Sequence, residues 1–84
     1  MKHNVKSLKN SLQLFKALSS QTRTDILQLL IDKGPMNMTA IAEELDLTGG
    51  AITAHVKLLE ESGLLEIEKR VGKHGMLKIC QAIV

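Results

Sequence analysis

A mainly α fold, four helices followed by a small two-stranded β-hairpin, is the class that these 84 residues predict. Three observations carry it. Apolar residues recur at helical spacing from Val5 to Leu59. Serine, threonine, glycine and proline divide that stretch into four segments. After Gly63 the period changes from helical to strand-like. The length suits one domain, 1–84. A chain this short buries only roughly 60–65% of its unfolded surface, so the core is thin and a partner subunit would help to close it.

Val5, Leu8, Leu12, Phe15 and Leu18, with Lys6, Lys9 and Lys16 between them, predict a first amphipathic helix. Ser19-Ser20 interrupts it, and the Ser20 hydroxyl can cap the next helix by accepting from a free first-turn amide. Ile26, Leu27, Leu30 and Ile31 mark the buried face of that second helix, and Gly34-Pro35 ends it, because proline cannot continue a helix. Asn37 or Thr39 can cap a short third helix with Ile41, Ala42 and Leu45 in the core, and there is room for a short extra strand before it. Asp46-Leu47-Thr48 is a tight break in which Asp46 tolerates turn geometry and Thr48 caps the fourth helix. That helix runs from about 49 to 62, with Ile52, Val56 and Leu59 inward and Gly63 as its stop. Leu65, Ile67, Lys69 and Val71 then alternate with Leu64, Glu66, Glu68 and Arg70. Gly72-Lys73-His74-Gly75 turns the chain, and 76–82 alternates again, which reads as a hairpin over about 64–82.

Several function classes fall away on composition. Aromatic residues make up 1% of the chain, with Phe15 the sole ring, so there is no platform for stacking single-stranded bases. No apolar run approaches the roughly 20 residues of a membrane helix, and the start lacks a signal-peptide core, so a cytoplasmic location without membrane attachment is expected. The single cysteine, Cys80, excludes an internal disulfide and reads as a small buried hydrophobe rather than a redox switch. His3, His55 and His74 lack ligand spacing, and neither metal nor cofactor is expected. No phosphate loop, nucleophile elbow or His-Glu-x-x-His motif is present. Glu43-Glu44 and Glu60-Glu61 are adjacent pairs whose side chains diverge on a helix. An enzyme is not expected.

The net charge of +2 hides a segregation. Residues 1–23 carry Lys2, Lys6, Lys9, Lys16 and Arg23 without an acid, and residues 69–78 carry Lys69, Arg70, Lys73 and Lys78, again without one. All nine acids lie in 25–68. Two short helices joined by a tight turn and succeeded by a hairpin make a winged helix-turn-helix. In that arrangement the second of the two helices enters the major groove of double-stranded DNA and the wing meets flanking phosphates or the minor groove. The fourth helix suits the role: Gly49, Gly50, Ala51, Thr53, Ala54, His55 and Lys57 are small, polar or basic, and no acid occurs from Thr48 to Leu59. Gly49 and Gly50 weaken the first helical turn by about 1 kcal/mol each relative to alanine. Close approach of their amides to a phosphate would compensate; a loosely formed helix start is the other reading. Lys69, Arg70, Lys73, His74 and Lys78 surround the wing's tip, with Lys69, Arg70, Lys73 and His74 as its expected DNA contacts.

Leu14-Phe15-Lys16-Ala17-Leu18-Ser19, Thr22-Arg23 and Ile26-Leu27 resemble the opening of the arsenic-repressor (ArsR) type of bacterial regulator. Ile52-Thr53-Ala54-His55-Val56 with Leu59-Glu60-Glu61-Ser62-Gly63-Leu64-Leu65 is similar to that family's recognition helix and the start of its wing. The likeness covers roughly residues 12–79. It implies a homodimeric repressor whose recognition helices enter successive major grooves of a near-palindromic operator, with Thr53 and His55 facing DNA. The chain departs from the family's metal sensors at Met36 and Met38, which stand where paired cysteines often occur; as thioethers they suit core packing. It also stops in the apolar stretch Ala82-Ile83-Val84, where many members continue into a final dimerising helix. Either residues 1–84 are the front domain of a longer regulator, or the apolar stripe of the first helix carries the dimer alone. A winged helix that docks on protein is the alternative; it would gain from large apolar anchors on the fourth helix, which offers none on its outward face.

Overall fold

In the computed structural model, which describes the backbone of residues 5–83 and the side chains of residues 11–83, local capping chemistry sets most of the boundaries. Helix α1 spans Val5–Leu18 and α2 spans Gln21–Lys33. The Ser20 hydroxyl accepts from the Arg23 amide at 3.3 Å, satisfying one of the free donors that open α2. Asn37 then caps α3 (Met38–Glu44) through the Ala40 amide at 2.9 Å, and Thr48 caps α4 (Gly49–Glu61) through the Ala51 amide at 3.1 Å.

Two turns shape the helix-turn-helix and the exit toward the hairpin. At the end of α3 the Leu47 amide returns to the Ala42 carbonyl at 2.8 Å and the Asp46 amide to Glu43 at 3.3 Å, with Asp46 in the left-handed region at φ 55°. At the end of α4 the same pair of bonds recurs, Leu64 to Leu59 and Gly63 to Glu60, both at 3.0 Å, with Gly63 at φ 77°. Glycine takes that conformation without Cβ strain. Asp46 is the unusual one, an L-residue held where glycine is favoured, and aspartate is among the few that tolerate it.

Strands β2 (Leu65–Gly72) and β3 (Gly75–Ala82) form the expected hairpin, with Gly72 opposite Gly75 and Lys73-His74 at the tip. A third strand, β1 (Met36–Asn37), pairs with β3 through Met36 opposite Cys80 and Asn37 opposite Ile79, giving an antiparallel sheet of order β1-β3-β2. The extra strand thus exists, and the wing's second strand lies at the centre of the sheet. The core collects Ile26, Leu30, Ile41, Ile52, Val56, Leu59, Leu65 and Cys80, joined by Ala17 and Ala42.

One apolar expectation changes, and the stripe expected to face a partner subunit is uncovered in the single chain. Ile31 is 52% exposed, because α2 buries Ile26 and Leu30 and leaves the next position outside. Helix α1 meets the core through Ala17, whereas Leu12, Phe15 and Leu18 of its stripe are exposed, Phe15 at 72%. Val5 and Leu8 of that stripe lie outside the described side chains.

Candidate nucleic-acid interface

The N-terminal half of α4 presents a small, uncharged surface that becomes basic at Lys57. Gly49, Gly50, Thr53, Ala54 and Lys57 are exposed, while Ala51 and His55 are half-buried. A Cβ added at Gly49 or Gly50 would meet nothing within 4 Å, so packing within the chain does not require either glycine. Their amides belong to the first helical turn, which has no intrahelical acceptors. Thr53 donates its hydroxyl to the Gly49 carbonyl at 2.8 Å, and the Met38 sulfur lies 3.8 Å from the Thr53 hydroxyl oxygen. The hydroxyl proton is therefore committed, and Thr53 faces outward as an acceptor.

His55 is held from behind by a residue far away in sequence. Arg23 donates Nε to the Ala17 carbonyl at 2.8 Å, Nη2 to the Lys16 carbonyl at 2.9 Å and Nη1 to His55 Nδ1 at 3.2 Å. A guanidinium has only donors, so Nδ1 is the acceptor and the imidazole proton sits on Nε2. One side chain thus satisfies carbonyls at the end of α1, grows from α2 and orients a ring on α4. His55 consequently offers an Nε2–H donor and no second acceptor.

Strand register sorts the wing. Leu65, Ile67, Lys69 and Val71 share one face with their partners Ala82, Cys80, Lys78 and Met76. That face is buried at its base, carries Lys69 directly opposite Lys78 at mid-length, and ends in exposed Val71 and Met76. Arg70 lies on the other face and forks onto Glu68 through Nε–Oε1 at 3.1 Å and Nη2–Oε2 at 3.0 Å, which holds the Glu68 carboxyl below the usual range. Lys73 and His74 are exposed at the tip. Lys57, Lys69 and Lys78 meet across a cleft of about 320 Å³ between α4 and the wing, which Met38, Thr53, Val56, Glu60 and Ile67 complete. A second cleft of about 450 Å³ lies in the angle of α3 and α4 and shares Met38 and Thr53 with it.

The winged helix-turn-helix DNA-binding family matches residues 19–66, more than half of the chain, from the cap of α2 into β2. This chain belongs to that family. The arsenic-repressor resemblance holds as well: the arsenical resistance operon repressor of Escherichia coli is 39% identical over 62 residues, 74% of this chain and 52% of that one. An HTH-type transcriptional regulator of Methanocaldococcus jannaschii is 33% identical over 57 residues, 68% of this chain and 64% of its own length. The chain therefore spans about half to two thirds of these relatives. The homodimeric winged helix-turn-helix DNA-binding domain from Mycobacterium bovis superposes with a TM-score of 0.79 at 25% identity, over 98% of this chain and 73% of that one.

Within the winged-helix frame, the structure brings Thr53 and Lys57 of α4 alongside Lys69 of the wing, around one cleft. Arg70 is kept apart on the opposite strand face. Two relations lay outside the sequence reading: the alignment of Lys78 with Lys69, which depends on register, and the contact of Arg23 with His55, which depends on packing. Met36 and Met38 pack against the core, as thioethers suit. Among the described residues no group of three or more His, Cys, Asp or Glu is placed to hold a metal ion, and no helix is long and apolar enough to cross a membrane. Burial, with the charge of Glu60 adding and that of Lys78 opposing, pushes the Cys80 thiol up to about 11.

Proposed function

We propose that this chain binds double-stranded DNA in a sequence-specific manner as a homodimeric transcriptional repressor, with α4 in the major groove and the hairpin on flanking DNA. The observation that carries the reading is the outer surface of α4 from Gly49 to Lys57, free of acids and continuous across a cleft with lysines of the wing. Gly49, Gly50 and Ala51 let the backbone come close; Thr53, Ala54, His55 and Lys57 face the groove; Lys69, Arg70, Lys73 and His74 meet phosphates, Arg70 after exchanging Glu68 for DNA. Repression is by occupancy of an operator and includes no catalytic step or cofactor. The cytoplasm is then its place of action. The similarity to an operon repressor and to a homodimeric DNA-binding domain supports this reading.

Titration with random duplex DNA across a salt series tests it. The native chain should bind with a log affinity that falls linearly with log salt, and an Arg70→Ala/Lys73→Ala variant should lose up to about 2 from that slope. Absence of binding at low salt transfers the reading to a protein partner, for which the basic wing would seek an acidic surface.

A further inference from the structure

We infer that Lys57, Lys69 and Lys78 form a three-lysine clasp for a single phosphate group, the backbone phosphodiester that would pass between recognition helix and wing. The inference rests on the DNA reading and narrows it: the two strand lysines and Lys57 share one phosphate instead of meeting separate ones.

Two features of the cleft call for an anion. Lys69 and Lys78 are paired residues of neighbouring strands, and like charges directly opposite each other oppose strand pairing. Lys57 borders the same cleft from α4, so three lysines line it where the protein alone gains nothing from their charge. They are also un-neutralised: among the described residues, ion pairs within 4 Å are confined to Lys33–Glu44 and Glu68–Arg70. Glu60 is the one acid lining the cleft and leaves an excess of two positive charges there. All three lysines are exposed, so a ligand can arrive without any rearrangement of the core. A phosphate suits them because ammonium groups act on it as point charges with rotatable donors, free of the planar geometry that arginine demands. The cleft adjoins Thr53, so a strand whose bases are read by α4 would carry its backbone past these side chains.

A shared phosphate has a distinctive thermodynamic mark. Slope counts phosphates neutralised rather than lysines, at about 0.9 per phosphate. Substituting all three (Lys57→Ala, Lys69→Ala and Lys78→Ala together) should therefore lower the salt slope by about 0.9, and three separate phosphates would lower it by about 2.7. The single variant Lys78→Ala should weaken binding by the same factor on every sequence, because phosphate contacts carry no base information. Lys33→Ala, which removes an equal charge outside the cleft, should leave the slope unchanged. Glutamine versions of the three substitutions keep part of each aliphatic stem and serve if the alanine variant folds poorly by circular dichroism.

A parallel arm titrates the native chain and Lys78→Ala with inorganic phosphate and monitors the lysine side-chain signals by NMR. A slope loss near 0.9 supports the clasp on DNA. An unchanged slope, or a native chain that fails to bind duplex, together with saturable phosphate shifts that Lys78→Ala abolishes, assigns the clasp to free phosphate and removes its DNA source. A loss near 2.7, or no response in either arm, overturns it.

Discussion

Gly49 and Gly50 expose the tension between folding and binding most directly. Both occupy the first turn of α4 at negative φ with open space where a Cβ would go, so the fold gains nothing from their being glycine. Gly49→Ala and Gly50→Ala should each raise stability by up to about 1 kcal/mol, seen as a higher Tm, and should weaken duplex binding by keeping phosphates off the amides. Raised stability with unchanged affinity would sink the close approach and leave only an indifferent helix start. Cys80 makes a second prediction through its proton. The folded thiol titrates at about 11 against an ordinary 9.0, so between those values the folded chain keeps a proton that the unfolded chain has lost. Its contribution is thus complete below about pH 9 and disappears as pH rises toward 11, a loss of about 2 kcal/mol. Urea unfolding of the native chain and Cys80→Ala across that window should show the difference between them shrinking with pH. For the same reason alkylation of the native thiol should be slow at neutral pH and become fast on unfolding.

Arg23 is the side chain through which helices communicate. It joins the last carbonyls of α1 to the ring of His55 on α4 while standing in the first turn of α2. Arg23→Ala should cost about 1.5–3 kcal/mol in denaturant unfolding, the range for hydrogen bonds to charged groups, and should also reduce DNA affinity by releasing the His55 ring. Arg23→Lys should recover little, since one ammonium cannot serve three acceptors in a planar fork. If Arg23→Ala folds less stably yet binds unchanged, His55 has no positioned role in recognition. The wing shows the same dependence on neighbours: a two-residue loop at Lys73-His74 holds β2 and β3 in the register that sets Lys69 against Lys78.

Taken as one body, the chain leaves an uncovered apolar surface on α1. Leu12, Phe15 and Leu18 are exposed at 60%, 72% and 42%, although they are the stripe of an amphipathic helix. An 84-residue core is too thin to waste such residues, and a second copy packed α1 against α1 would bury them. Sedimentation equilibrium should therefore find a dimer that Phe15→Glu converts to a monomer, with weaker and less cooperative operator binding. A native monomer at high micromolar concentration would defeat dimerisation through this stripe.

Much of the fold was legible because its signals are local. Ser20, Asn37 and Thr48 cap helices through amides three residues away, Gly63 stops α4, and the period changes where the backbone does. The candidate surface on α4 was legible for the same reason, since the absence of acids from Thr48 to Leu59 is a property of one short segment. Other features required the folded chain. Arg23 and His55 lie 32 residues apart and meet only when α2 packs on α4. Lys78 faces Lys69, and Arg70 turns away to Glu68, because of a strand register that alternation constrains but does not name. The exposure of Ile31 and Phe15 is set by which helix faces the core has room to bury. Hydrogen bonds within a turn depend on neighbours in sequence; register and packing depend on neighbours in space, and those exist only once the chain has folded.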